Sequence, residues 1–183
     1  FGVDLSEESV GITKLSLFLK LSVVEKKLSD LSKNIKVGNS IIDDKSIDSR
    51  AFNWNQEFND VFQNGGFDIV IGNPPYVRQE LFKEIKPHLK SNFTSYNSIA
   101  DQFVYFVEQG ISKLTKNGFF GFIIPNKFKV TNYGKELRTY LKDNSKLKLI
   151  YNFDEYPIFP DASTYTLILI LEKNQNPKPY DFT

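Results

Sequence analysis

The chain has 183 residues, 40% of them hydrophobic, and a formal net charge of +1, which suits one α/β domain with a real core rather than two large ones. It holds no Cys, which excludes a disulfide framework, a thiolate–zinc site and chemistry that needs a cysteine nucleophile, such as methylation at cytosine C5. No apolar run approaches the ~20 residues of a membrane span, and the first residues lack the basic, apolar and small-residue regions of a signal peptide.

Phe1-Gly2-Val3-Asp4 reads as the tail of a strand. Ser6 can cap the helix behind it, and Glu7 and Glu8 favour the positive end of its dipole. Val10, Leu15, Leu17, Phe18, Leu21 and Val24 keep a helical period to about Leu28. Asn34–Val37 is a short strand stopped by Gly38-Asn39-Ser40, and Ile41–Phe52 is loop-like. A short helix is predicted from Asn55 to Phe62, ahead of the breaker Asn64-Gly65-Gly66.

Phe67–Gly72 is an apolar, β-branched run bounded by Gly, the pattern of a buried strand. It runs straight into Asn73-Pro74-Pro75-Tyr76. The spacing next predicts a helix over Gln79–Leu89, with Pro87 fraying its end. Lys90–Ser98 is polar with scattered aromatics, the composition of a mobile, substrate-facing loop. A helix follows from Ile99 to Leu114, closed by Lys116-Asn117-Gly118. Phe119–Ile124 is a strand stopped by Pro125, and Gly134–Asn144 is an amphipathic helix. The last strands are Leu147–Phe153 and Thr164–Leu171, separated by Asp154–Ser163. Such alternation predicts an α/β fold with a mostly parallel sheet, covered on both faces and finishing in an antiparallel pair.

In an open α/β sheet, ligands bind just beyond the carboxyl ends of strands, which is where Asn73–Tyr76 falls. Asn73 offers an amide oxygen and an NH2 group. Pro74 and Pro75 lack N–H groups and have fixed φ, so the turn is stiff and its carbonyls remain as acceptors. Tyr76 supplies a face for a planar ring. Two acceptors and a stacking platform suit an exocyclic amino group on a planar base.

Weaker signals surround this one. Asp4, ending a strand before a helix, stands where an acidic side chain grips ribose hydroxyls. Asn39 ends the next strand, where an acceptor meets an adenine amino group, although Asn after Gly is also common turn chemistry. Lys127, Lys129, Lys135, Arg138, Lys142, Lys146 and Lys148 cluster against only Glu136 and Asp143, which fits phosphate tracking and a solvated helix equally. Glu84-Ile85-Lys86 has the Glu-x-Lys spacing of one nuclease class without an acidic partner at a sensible distance upstream, and reads as a surface ion pair. The single His88 has no ligand-type neighbours, so no metal site is expected.

The tetrapeptide resembles the catalytic motif of S-adenosylmethionine-dependent methyltransferases that act on amino nitrogens of DNA adenine, protein glutamine or ribosomal RNA guanine. The order of elements is more specific. Gly2-Val3-Asp4-Leu5, Val37-Gly38-Asn39-Ser40, the tetrapeptide, Ala100-Asp101-Gln102-Phe103, Ile124-Pro125-Asn126-Lys127-Phe128 and Ile158-Phe159-Pro160-Asp161-Ala162-Ser163-Thr164 run across nearly the whole chain. In that order they resemble the catalytic core of gamma-class N6-adenine DNA methyltransferases from type II restriction–modification enzymes with fused activities.

The resemblance implies a Rossmann-like methyltransferase sheet with an antiparallel final strand. Asp4 would bind the cofactor ribose with Leu5 beside the adenine, and Asn39 and Ser40 would contact the adenine edge. Many relatives carry Asp where Asn39 stands. Asn73, Pro74, Pro75 and Tyr76 would hold a flipped adenine of double-stranded DNA, and Phe159 would pack on its other face. Asp4, Asn73, Tyr76 and Phe159 are then expected to line one cleft. The implied cofactor is S-adenosylmethionine and the implied location is the cytoplasm of a bacterium or archaeon.

Residues 1–183 are thus expected to be a single catalytic domain without its first strand, its cofactor-binding Gly-rich loop or a C-terminal target-recognition domain. The lack of Met and the opening Phe agree with a piece of a longer protein. Such a piece is expected to bind cofactor poorly and to methylate nothing by itself. Its strands ending at Asp4 and Gly72, each lacking a neighbour, are expected either to close on each other or to self-associate through their edges. Two other readings stay open, a protein-glutamine or ribosomal RNA methyltransferase and a non-catalytic docking domain of a phage-defence complex.

Overall fold

The computed structural model describes residues 1–22, 30–154, 156, 158 and 164–174. Two compact units divide the chain, Phe1–Asn59 and Asp60–Thr183. In the first, β1 (Gly2–Asp4) pairs in parallel with β2 (Ile35–Val37), setting Asp4 beside Val37. The Asp4 carboxylate accepts the Ser6 N–H at 2.7 Å, and Ser6 Oγ accepts the Ser9 N–H at 3.1 Å. Together they close the start of α1 (Glu7–Ser22), whose first turn carries Glu7 and Glu8 as expected. Of its apolar residues Val10 is buried, whereas Ile12, Leu15 and Leu19 are exposed. The predicted continuation of this helix, residues 23–29, lies outside the described residues.

The helix predicted over Asn55–Phe62 forms as two short pieces, α2 (Trp54–Glu57) and α3 (Asn59–Gln63). The break falls at Phe58, whose φ of −125° and ψ of 46° are not helical. Its ring packs with Phe52 and Trp54 at centroid distances of 5.6 and 5.8 Å, and this aromatic cluster overrides the local helical preference.

The second unit is built on a four-stranded sheet in the order β3 (Phe67–Gly72), β4 (Leu114–Pro125), β6 (Thr166–Lys173), β5 (Ser145–Asn152). β3 and β4 are parallel, and β6 runs antiparallel to both β4 and β5. Three strands therefore share one direction, and the antiparallel pair expected at the end of the chain is present. Helices α5 (Phe103–Ser112) and α6 (Lys135–Asn144) supply one covering layer. That side buries Phe120, Phe122 and Ile124 of β4, Leu167, Leu169 and Leu171 of β6, and Leu137 and Leu141 of α6. Gly110 permits the close approach of α5: a Cβ there would fall 2.8 Å from the Phe120 ring.

The opposite face departs from expectation. Ile69 and Ile71 of β3 are 65% and 78% exposed, and Phe119, Leu149 and Tyr151 on the same side are exposed too. The sheet is apolar on both faces, but α5 and α6 lie on only one of them, so β3 is not the buried strand its composition suggested. Among the described residues β1 pairs only with β2, and β3 only with β4.

Two further expectations are corrected. The helix predicted over Gln79–Leu89 is a 3-10 stretch (Gln79–Ile85) kinked at Phe82, followed by α4 (Lys86–Asn92). Pro87 opens α4 rather than fraying an end, because a residue without an N–H is tolerated only in the first turn. The segment after α4 is not a free loop. Glu108, buried on α5, accepts the backbone N–H groups of Thr94 at 2.9 Å and Ser95 at 2.7 Å. Lys86 donates to the Ser98 carbonyl at 2.7 Å and the Tyr105 hydroxyl to that of Asn97 at 3.1 Å, so residues 94–98 are tied at four points.

Candidate active site

Because β3, β4 and β5 run the same way, Gly72, Pro125 and Asn152 end at one edge of the four-stranded sheet. Asn73–Tyr76 leaves that edge directly from β3. Gly72 lets the chain pass close over β4, since a Cβ there would lie 2.9 Å from the Phe122 ring. In the turn itself Pro74 is buried, Asn73 and Pro75 are exposed, and Tyr76 is half-buried. The stiff prolyl pair thus anchors on Pro74 and presents the Asn73 amide outward.

Tyr76 is fixed at its far end, where its hydroxyl donates to the Ile123 carbonyl of β4 at 3.0 Å. Burial pushes its pKa up to about 12, so the phenol stays a neutral donor at physiological pH. Beyond the turn, the Gln102 N–H donates to the Val77 carbonyl at 2.9 Å and holds the outgoing chain to the start of α5. Asp101 stands beside that contact. Burial raises its carboxyl above the usual range, opposed by the backbone N–H of Gln79 and by the charges of Arg78 and Lys127.

A polar chain that sequence reasoning did not single out runs along the same edge. The Asn126 side chain donates to Asn152 Oδ1 at 3.1 Å, and Asn152 donates to the Asp154 carboxylate at 2.6 Å. Asn126 was legible only as part of Ile124-Pro125-Asn126-Lys127-Phe128, because its partners lie 26 and more residues away. Of the basic cluster, Arg138 is engaged with the carbonyls of Phe128 and Thr131, and Lys148 with Glu172. Lys127 and Lys135 are exposed. Phe159 lies outside the described residues.

The other predicted group meets in the first unit, where the carboxyl ends of β1 and β2 adjoin. The Gly38 N–H donates to the Asp4 carbonyl at 2.9 Å, which puts Asp4 and Leu5 next to the turn containing Asn39 and Ser40. Asp4 and Leu5 are exposed. The Asn39 side chain is engaged in building that turn, with Nδ2 donating to Asp48 at 2.8 Å and Oδ1 accepting the Ile41 N–H at 3.3 Å. The same amide, with the Arg50 N–H, holds the Asp48 carboxyl below its ordinary range. The Ser40 carbonyl accepts the Trp54 indole N–H at 2.9 Å. No described helix is long and apolar enough to cross a membrane.

The family described as Eco57I restriction-modification methylase matches residues 1–159. The chain is 30% identical over 191 aligned residues to the type II restriction enzyme and methyltransferase RM.Eco57I of Escherichia coli; the match covers 96% of this chain and 19% of that protein. Its fold is similar to that of the DrdV–DNA complex, with a TM-score of 0.68 at 15% identity, covering 99% of this chain and 21% of that one. The methyltransferase subunit of a type I restriction-modification system from Streptococcus thermophilus gives a TM-score of 0.60 at 19% identity, covering 95% and 34%. The shared fold is that of S-adenosylmethionine-dependent methyltransferases.

Proposed function

Since the chain belongs to the Eco57I restriction-modification methylase family and spans about a fifth of its curated relative, we propose that it works as part of a larger enzyme. That enzyme transfers a methyl group from S-adenosylmethionine to N6 of an adenine in double-stranded DNA, in the cytoplasm, as the modification step of a restriction–modification system. The observation carrying this reading is the Asn73–Tyr76 turn at the carboxyl end of β3, with an exposed amide beside an aromatic ring pinned to β4.

Asp4 and Leu5 fit the nucleoside end of the cofactor. An exposed carboxylate at a strand end accepts hydrogen bonds from ribose hydroxyls, and an exposed Leu offers the adenine an apolar face. Asn39 fits through the turn it builds with Asp48, which presents Ser40 towards the adenine edge. When bound, S-adenosylmethionine supplies an electrophilic methyl group.

At the other group, Asn73 Oδ1 and the Pro74 carbonyl accept hydrogen bonds from the amino group of an adenine turned out of the duplex. These acceptors draw lone-pair density out of the ring and stabilise the positive charge that grows on nitrogen, so positioning and fixed polarity do the chemistry. The base stacks on Tyr76 and is covered by Phe159, each contact contributing roughly 1–3 kcal/mol. Exposed Lys127 and Lys135 lie past the end of β4 and suit the flanking phosphates. Incubating the full-length protein with duplex DNA and cofactor should yield N6-methyladenine by mass spectrometry of the digested product. Methylation confined to protein glutamine or RNA would overturn the reading.

Among the described residues β3 is an edge strand, and its unpaired side and exposed Ile69 and Ile71 also suit edge-to-edge association of this chain with a second copy. Sedimentation velocity of the isolated chain should show a concentration-dependent dimer that Ile71→Lys weakens. A monomer throughout, for both sequences, would rule that association out.

A further inference from the structure

We propose that Asn126 is a positioning residue for methyl transfer, because it clamps both stems of the β5–β6 connection to the strand that anchors Tyr76. The inference rests on the methyltransferase reading above. β4 and β5 are not neighbours in the sheet, since β6 lies between them. No ladder hydrogen bond therefore ties the end of β5 to the end of β4. Asn126 makes that tie by reaching past the start of β6. Its backbone N–H donates to the Tyr165 carbonyl at 2.9 Å, on the stem that enters β6. Its side-chain Nδ2 donates to Asn152 Oδ1 at 3.1 Å, on the stem that leaves β5.

The clamp continues outward. Asn152 uses its own Nδ2 to hold the Asp154 carboxylate at 2.6 Å. Asp154 has a φ of 50°, a left-handed conformation that a non-glycine residue adopts where local hydrogen bonds hold it. Phe153 adds a bond from its N–H to the Thr166 carbonyl at 3.2 Å. Three residues before Asn126, the Ile123 carbonyl receives the Tyr76 hydroxyl. One strand end thus holds both Tyr76, the ring proposed to stack on the base, and the two described stems of the β5–β6 connection.

The chemistry requires an amide at this position. Asn126 must donate to an oxygen of Asn152, which an aspartate of the same shape cannot do. In Asn126→Asp, either two acceptors face each other or Asn152 turns over and releases Asp154.

The test compares Asn126→Asp, Asn126→Ala and Asn152→Ala in the full-length enzyme. Each should lower kcat by roughly tenfold or more, the loss that a small misplacement of catalytic groups brings, with KM for S-adenosylmethionine unchanged. Fluorescence of 2-aminopurine at the target position should change as stacking on the extruded base is lost. The Asn126→Ala, Asn152→Ala pair should lose no more than either alone, because both break one chain of bonds. Unchanged kcat and fluorescence in Asn126→Asp, or additive losses in the pair, would overturn the proposal. Should Asn126→Ala not fold, Asn126→Asp decides alone. If the wild-type enzyme makes no N6-methyladenine, the methyltransferase reading fails instead. Hydrogen exchange at the Phe153 and Asp154 amides then still reports on the clamp, with faster exchange in Asn126→Asp supporting it and unchanged exchange refuting it.

Discussion

Asn73→Ala in the full-length enzyme should lower kcat for adenine methylation by on the order of 10²–10³-fold while leaving cofactor affinity nearly unchanged. The amide oxygen gains most of its interaction energy as positive charge builds on the attacking nitrogen, so its loss falls on the transition state rather than on ground-state binding. Asn73 is exposed at the tip of a stiff turn whose buried anchor is Pro74, so the truncation leaves the fold intact. Calorimetric titration with cofactor and single-turnover kinetics on duplex DNA separate the two quantities. Near wild-type turnover would show that the amide does not hold the target amino group.

The second large effect is on stability. Glu108→Ala should destabilise the protein by roughly 3 kcal/mol, because two buried backbone N–H groups lose a charged acceptor together. The Thr94 and Ser95 amides would be left without their carboxylate, and Ser95 is fully buried. Urea unfolding with an unchanged m-value would measure the loss. Glu108→Gln, which keeps one acceptor oxygen, should recover about half of it. A midpoint identical to wild type in Glu108→Ala would mean that water satisfies both amides as well as the carboxylate does.

These two residues mark what could and could not be read from the chain alone. Asn73 was legible because its neighbours in sequence create its environment: an apolar strand before it, two prolines and a ring after it. The strand and helix alternation was legible for the same local reason. Glu108 was not, since nothing in a helical pattern tells that a carboxylate will turn inward to hold amides 13 and 14 residues upstream. The composition of Lys90–Ser98 accordingly suggests a mobile loop, although residues 94–98 are tied to α4 and α5. The bare face of Ile69 and Ile71 was hidden for a related reason. Periodicity reports which residues are apolar, whereas burial depends on whether a layer is packed against them. Phe58 and Pro87 show the intermediate case, where a helical pattern holds and one side chain with another commitment decides where it breaks.

The position of β6 between β4 and β5 has a consequence for how the chain is made. β5 leaves the ribosome with no strand to pair with, because β4 presents its free side to β6 and β6 has yet to be synthesised. Until residues 166–173 emerge, the first half of the sheet can assemble while β5 waits as an unpaired apolar segment. The final strand then enters between two that are already present, and only at that moment do Asn126 and Asn152 meet. The tie between Asn126 and Asn152 is therefore the last part of this edge to form, and a nascent chain halted before Thr166 would display the Asn73–Tyr76 turn without it.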